Sequence, residues 1–285
     1  MGGGFGLNVD AHQHFWNLEK VNYPWLSQES EIINRTFEAP ELEPLLRVNG
    51  IDKTIVVQAM DSYQDTEYMI DTAARYDWIA GIVGWVPLNR PEEADQKLEA
   101  FIRHPKFKGV RHLIHEEEDP DWLIRDDVIE GLRVLASYGL PFDVVAVFPN
   151  HLKHVPTIAE KVPDLKMVID HLAKPPIKVG EIESWAKEIS KAAEYTRVYA
   201  KISGLNTAAS EKWTSEDLKL YIDVALEKFG AKRLMFGSDW PVANLAGDYH
   251  KVWTETNKVL DHYSPLEKEA ILGGTAIEFY HLEGE

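Results

Sequence analysis

The feature that most constrains this chain is an alternation that runs its whole length. Short apolar runs rich in β-branched residues are each followed by a segment with helical spacing. The runs are Leu7–His12, Thr54–Ala59, Ile79–Val86, Gly109–Ile114, Phe142–Val147, Lys166–Asp170, Val198–Ile202 and Leu234–Phe236. Between them lie Glu41–Val48, Glu67–Tyr76, Glu92–Arg103, Val128–Tyr138, Leu152–Val162, Ile182–Tyr195 and Glu216–Phe229. In the last of these, Leu218, Tyr221, Ile222, Ala225, Leu226 and Phe229 mark one apolar helical face. Strands that alternate with helices pair in parallel through right-handed crossovers. The joints agree: Asn49-Gly50, Tyr138-Gly139 and Phe229-Gly230 put a glycine where a helix closes in the left-handed conformation. Ser264-Pro265-Leu266-Glu267 reads as an N-cap, a first helical position and a capping-box acid. Eight such units in 285 residues predict one (β/α)8 TIM barrel spanning 1–285, with an open doubly wound sheet as the alternative. Residues 1–6 read as a flexible tail. Residues 15–40 read as an insertion near the barrel mouth, where Trp16, Tyr23, Pro24 and Trp25 wall a pocket.

Composition narrows the partners. Thirty Lys and Arg against 47 Asp and Glu give a net charge of −17, which excludes a nucleic-acid binder and an anionic membrane surface. Without cysteine there is no disulfide, no thiolate nucleophile and no Cys-bound metal. That composition fits the cytoplasm. The start of the chain has neither the basic residues nor the apolar core of a signal peptide, and no apolar run approaches the ~20 residues of a membrane span. A small molecule is the expected partner, and a homo-oligomer is compatible with the sequence.

In a barrel the chemistry sits at the C-terminal ends of the strands. Asp10-Ala11-His12-Gln13-His14 ends the first, where His12 and His14 share a face and can grip a divalent metal or a substrate. Ordinary polar residues at a strand end are the plainer reading. Met167-Val168-Ile169-Asp170-His171 ends the sixth, and His171 reads equally as catalytic or structural. Gly237-Ser238-Asp239-Trp240-Pro241 follows the eighth, placing Asp239 as a proton acceptor, a metal ligand or a helix N-cap. Gly109-Val110-Arg111-His112 ends the fourth, where Arg111 offers a planar fork of donors or a surface ion pair with Glu116-Glu117-Glu118. Lys201 and Ser203 are weaker candidates. Asp143, inside an apolar strand, demands a partner that the sequence leaves unnamed.

Taken together these motifs are far more specific. Asp-x-His-x-His-Phe-Trp, Gly-Val-Arg-His, Asp-His and Gly-Ser-Asp-Trp-Pro stand in the order of an amidohydrolase barrel. Over nearly its full length the chain resembles the amidohydrolase-related (amidohydrolase family 2) proteins, in particular their sugar-lactone hydrolase branch of L-fucono- and L-rhamnono-lactonases. Tyr23-Pro24-Trp25-Leu26, Gly84-Trp85-Val86-Pro87-Leu88 and Gly274-Thr275-Ala276-Ile277-Glu278-Phe279-Tyr280 add to the likeness. The resemblance implies a metal-dependent-hydrolase barrel that opens an aldono-lactone, that of a deoxy sugar such as L-fucose or L-rhamnose. Asp239 is the expected general base, with His171 and Arg111 completing the catalytic set and His12, His14, Trp16, Trp25 and Trp85 binding substrate. Arg111 replaces the lysine that a two-metal centre would carbamylate, and no histidine ends the fifth strand. At most one divalent ion, zinc or manganese, is therefore expected on His12, His14 and Asp239, without being required. A hydrolase or decarboxylase of a cyclic dicarboxylate and a degenerate sugar-binding protein are the alternatives.

Overall fold

The computed structural model describes residues 6–282. The expected tail thus lies outside the described residues except for Gly6, which is exposed. Eight parallel strands form one sheet in sequential order: β1 Val9–Gln13, β2 Lys53–Val57, β3 Ile79–Gly84, β4 Phe107–His112, β5 Phe142–Val144, β6 Met167–Ile169, β7 Val198–Ile202 and β8 Leu234–Phe236. Sequential order is what right-handed βαβ crossovers produce when every connection turns the same way. The connecting helices are α1 Ala39–Asn49, α2 Tyr63–Ala73, α3 Pro91–Phe101, α4 Asp126–Ser137, α5 His154–Lys161, α6 Glu183–Ala193, α7 Ser215–Phe229 and α8 Tyr249–Leu260. The open-sheet alternative is excluded by the seam between β1 and β8. Just beyond the strand ends, Asp239 N–H donates to the His12 carbonyl at 2.8 Å and His14 N–H to the Trp240 carbonyl at 2.8 Å.

The turn chemistry behaves as the sequence predicts. Gly50 closes α1 in the left-handed region, and the Ser264 hydroxyl and Glu267 carboxylate form the capping box at Pro265. Two apolar layers result. The larger lies between strands and helices, with Val56, Ile82, Val110 and Phe236 facing out to it. The smaller fills the lower barrel with Ala11, Ile55, Val57, Val83, Val168, Tyr199 and Met235. The C-terminal helical segment plugs the bottom, its Ala276, Phe279 and Tyr280 buried against that interior.

One irregularity matters for the mouth. The β1–β2 register shifts between Asp10 and Gln13. A bulge of this kind changes which residues face the axis. His12 and His14 therefore turn inward above Ala11, while Gln13 donates outward to Thr54 Oγ1 at 3.0 Å. Asp10 faces the other way, accepting from the Ser238 N–H at 2.9 Å and the Tyr249 hydroxyl at 2.9 Å. It ties the two motif-bearing loops together from behind.

The plug gives a stability test. Phe279 is fully buried and packs against Tyr199 and Tyr280 at ring-centroid distances of 4.7 and 4.8 Å. Phe279→Ala is expected to lower unfolding stability by about 3–5 kcal/mol, read from urea denaturation. A loss under about 1 kcal/mol would mean the barrel floor does not depend on this ring.

Candidate active site

The strand ends bring His12, His14, His171 and Asp239 to one point. His12 Nε2 and His14 Nε2 stand 3.2 Å apart. Asp239 Oδ1 lies 3.3 Å from His14 Nε2 and 3.7 Å from His12 Nε2, and its Oδ2 lies 3.8 Å from His171 Nε2. Asp239 is no N-cap: its carboxylate faces the imidazoles, and its own backbone sits at φ 57°.

His171 opens a strained segment. His171, Leu172, Ala173 and Lys174 all have positive φ, between 48° and 64°. Each such residue costs roughly 1–2 kcal/mol, so the segment survives only because its surroundings fix it. Trp185 Nε1–H donates to the Leu172 carbonyl at 2.7 Å, Phe148 N–H to the Ala173 carbonyl at 2.8 Å, and Lys174 Nζ to Thr207 Oγ1 at 3.1 Å. The result is that His171 and Lys174 both line the same cavity. Gly204, at φ 60°, completes the fit: a Cβ there would sit 2.6 Å from His171 Nδ1. Ser203 Oγ pairs with that Nδ1 at 2.7 Å, leaving Nε2 toward Asp239.

Burial and charge set the protonation states. Burial alone would raise the Asp239 carboxyl, but His171, His14 and His12 outweigh it and hold it well below the usual carboxylate range. Burial pushes His171 down to about 4, against the pull of Asp239 and Asp170 and with help from Lys174 and Arg111. Burial also lowers the Lys174 ammonium, partly offset by Asp239 and Asp170.

The cavity measures about 310 Å³, and Trp16 and Trp25 from the segment after β1 stand in its wall. Arg111 lines it too, yet is no surface ion pair. Its Nε donates to Gln58 Oε1 at 2.9 Å, NH2 to the Gln58 carbonyl at 2.7 Å and NH1 to Asp170 Oδ2 at 3.1 Å. Two of its five N–H groups remain for a ligand. Trp85 does not reach the cavity. Its indole N–H donates to His112 Nδ1 at 2.9 Å, and its ring packs on Tyr63. It belongs to the anchoring of the loop after β4, where His112 stacks on Trp122 at 4.0 Å. That loop carries His115 and Glu116 to the cavity rim. Lys174, His115, Glu29 and Glu116 line the cavity as well; the first three carry no motif that marks them, and Glu116 stands in an acidic run that reads as a surface partner of Arg111. Asp143 finds its partners inside the barrel: Lys201 Nζ at 2.6 Å and the Tyr280 hydroxyl at 2.7 Å.

Two places at the mouth bring metal-ligating groups together among the described residues, one of them where His12, His14, His171 and Asp239 meet. Ligands about 2.0–2.1 Å from a tetrahedral zinc lie ~3.3 Å apart. The His12–His14–Asp239 edges of 3.2, 3.3 and 3.7 Å match this, and His14 is oriented as a ligand by its Nδ1–H donating to the Val57 carbonyl at 2.8 Å. Asp61, His112 and Glu117 also converge. There the Trp85 indole donates into His112 Nδ1, so Nε2 carries the proton and serves Glu117 at 2.7 Å. That second cluster is a hydrogen-bonded anchor.

A sequentially closed (β/α)8 barrel with a His-x-His pair, a β6 histidine and a β8 aspartate at its mouth is the architecture of a hydrolase-type barrel enzyme. Comparison with known proteins makes this specific: residues 9–282 match the Amidohydrolase family model, and the chain belongs to that family. It is 37% identical over 282 residues to L-fucono-1,5-lactonase of Burkholderia ambifaria, an alignment covering 97% of this chain and 96% of that enzyme. It is 31% identical over 293 residues to L-fucono-1,5-lactonase of Burkholderia multivorans, again with 97% and 96% covered. A crystal structure of a Burkholderia multivorans amidohydrolase with bound zinc superposes with a TM-score of 0.89 at 31% identity, covering 97% of this chain and all of that one. Among the described residues, no helix is long and apolar enough to cross a membrane.

The protonation pattern is testable. A histidine held near 4 in the folded chain but near 6.5 unfolded is charged only in the unfolded chain between those values. Its destabilising effect is therefore absent above about pH 6.5, grows as pH falls, and is complete below about pH 4. A 15N titration of His171 is expected to show a midpoint near 4; a midpoint at 6 or above would contradict the buried, neutral ring.

Proposed function

We propose that the protein hydrolyses a sugar-derived aldono-lactone, with a lactone of a six-carbon deoxy sugar such as L-fucose or L-rhamnose as the preferred substrate. The observation that carries the reading is Asp239, a buried carboxylate kept ionised among three imidazoles at the floor of a cavity of about 310 Å³. The names of the 37% and 31% identical relatives support the lactone class. The cavity supports a neutral polyhydroxylated ligand: its wall mixes Trp16 and Trp25 with Glu29, Glu116, His115 and Lys174, and its two cations are partly committed to Asp170 and Thr207.

In this mechanism Asp239 draws a proton from water as the water oxygen attacks the lactone carbonyl. The two uncommitted Arg111 N–H groups and the Lys174 ammonium donate to the carbonyl oxygen as it gains negative charge, the interaction that usually contributes most in acyl transfer. The tetrahedral centre collapses by breaking the ring C–O bond. The proton taken from water passes by way of His171, 3.8 Å from Asp239, to the departing ring oxygen, leaving a hydroxy acid. His12 and His14 hold Asp239 in place from the other side. They are also the residues that, with Asp239, would hold a single divalent ion, whose chemistry when bound is to polarise the carbonyl or acidify water. A lactone is already an activated ester, so the reaction we propose does not depend on that ion. The single-domain organisation, the mouth insertion at 15–40 and a cytoplasmic location belong to this same reading.

Three outcomes follow. Asp239→Asn is expected to fold and bind substrate while kcat falls roughly 100-fold to 10,000-fold; near-wild-type turnover would remove Asp239 from the chemistry. A pH-indicator screen is expected to find turnover of six-carbon deoxy-sugar lactones and little of cyclic dicarboxylates or acyclic amides. Turnover of a dicarboxylate alone would overturn the substrate class, and binding of sugars without turnover would favour the degenerate binding protein. Dialysis against a chelator is expected to leave substantial activity, checked by metal analysis of the same sample. Complete loss restored by one equivalent of zinc or manganese would make the ion essential.

A further inference from the structure

Below the mouth, three further groups converge: His12, Asp143 and Asp170, with donor atoms close enough to surround a cation. The cation there is the chain's own. Lys201 Nζ, fully buried on β7, lies 2.6 Å from Asp143 Oδ2, 3.1 Å from His12 Nδ1 and 3.6 Å from Asp170 Oδ1. An ammonium has only donors to offer. His12 Nδ1 must therefore accept, and the proton of the neutral ring sits on Nε2.

On the mouth side this tautomer is well received. The Nε2 proton points to the mouth, where the Asp239 carboxylate is the acceptor and His14 Nε2 stands 3.2 Å off. Asp239 Oδ1 lies further along at 3.7 Å. A divalent ion on the same cluster has the opposite need: it requires a lone pair on His12 Nε2 as well as on His14 Nε2. The proton would then have to sit on Nδ1. There it meets a Lys201 N–H head on, while Asp170 Oδ1, buried 3.5 Å away without a hydrogen-bond partner, is the acceptor in reserve.

We propose that Lys201 selects what occupies the mouth cluster: by donating to His12 Nδ1 it holds the imidazole proton on Nε2, so that metal binding requires a tautomer exchange which Lys201 opposes and Asp170 supports. The exchange is balanced: one N–H bond breaks at Nε2, one forms at Nδ1, and no proton enters or leaves. Lys201 is thus a positioning residue for His12. The proposal stands apart from the substrate assignment and can fail without it.

The test is a 15N-histidine spectrum of the zinc-free wild-type protein, with the His12 signal assigned by comparison with His12→Asn. The expected pattern is a protonated Nε2 and a bare Nδ1, reversing when zinc is added. A protonated Nδ1 in the zinc-free protein overturns the proposal. The second arm is zinc affinity, measured by competition with a chromogenic chelator, in the double variant Asp143→Asn/Lys201→Met. That variant removes both members of the buried pair so that neither is left uncompensated. It is expected to bind zinc roughly 10-fold to 100-fold more tightly than wild type. Equal or weaker binding by a variant with wild-type circular dichroism overturns the proposal. Should the variant not fold, the wild-type spectrum decides alone.

Discussion

The backbone seam between the first and last strands is the constraint on which the site depends. Two hydrogen bonds of 2.8 Å, Asp239 N–H to the His12 carbonyl and His14 N–H to the Trp240 carbonyl, close the barrel at its mouth. The same bonds set Asp239 beside the imidazoles that the β1 register shift has turned inward. Closure and site assembly are therefore one event. Asp10 reinforces it from outside by accepting from the Ser238 N–H and from Tyr249 on α8. Gly237 permits it, since a Cβ there would stand 2.6 Å from the His12 Cβ.

Under the mouth the barrel axis holds a run of buried charge: Asp143, Lys201, Asp170 and Arg111. A buried ion pair gives little net stability against an apolar replacement, because desolvation consumes most of the attraction. Losing one member is a different matter, because it strands the other. Position is what this run contributes. Asp170 and Gln58 consume three of the Arg111 N–H groups and aim the rest at the cavity. Lys201 meets His12 from below while Tyr280, from the C-terminal plug, holds Asp143. The two ends of the barrel are thus joined through polar side chains as well as through the apolar core.

Much of this was legible from residues alone. Eight β-branched runs, the glycines at Gly50 and Gly139 and the capping box at Ser264 encode the strand and helix order, since they act locally. The His12–His14–His171–Asp239 set was legible because each member ends a strand, and strand ends meet in a barrel. What stayed hidden depends on contacts distant in sequence. Lys174 enters the cavity only because four L-residues adopt left-handed backbone, a conformation held by Trp185 and Phe148 and carrying no compositional mark. Trp85 read as a substrate-binding residue, yet its indole N–H is drawn to His112. Arg111 read as an open fork or a surface pair because the pairing with Gln58, 53 residues away, leaves no signal in either segment.

The central claim is that water, activated by Asp239, attacks the carbonyl directly. A single turnover of L-fucono-1,5-lactone with enzyme in excess in 18O-labelled water tests it, with the product carboxylate analysed by mass spectrometry. The account predicts one 18O in the carboxylate in that first turnover. A first-turnover product free of label, with 18O appearing instead on the Asp239 side chain, would make Asp239 a nucleophile and contradict it.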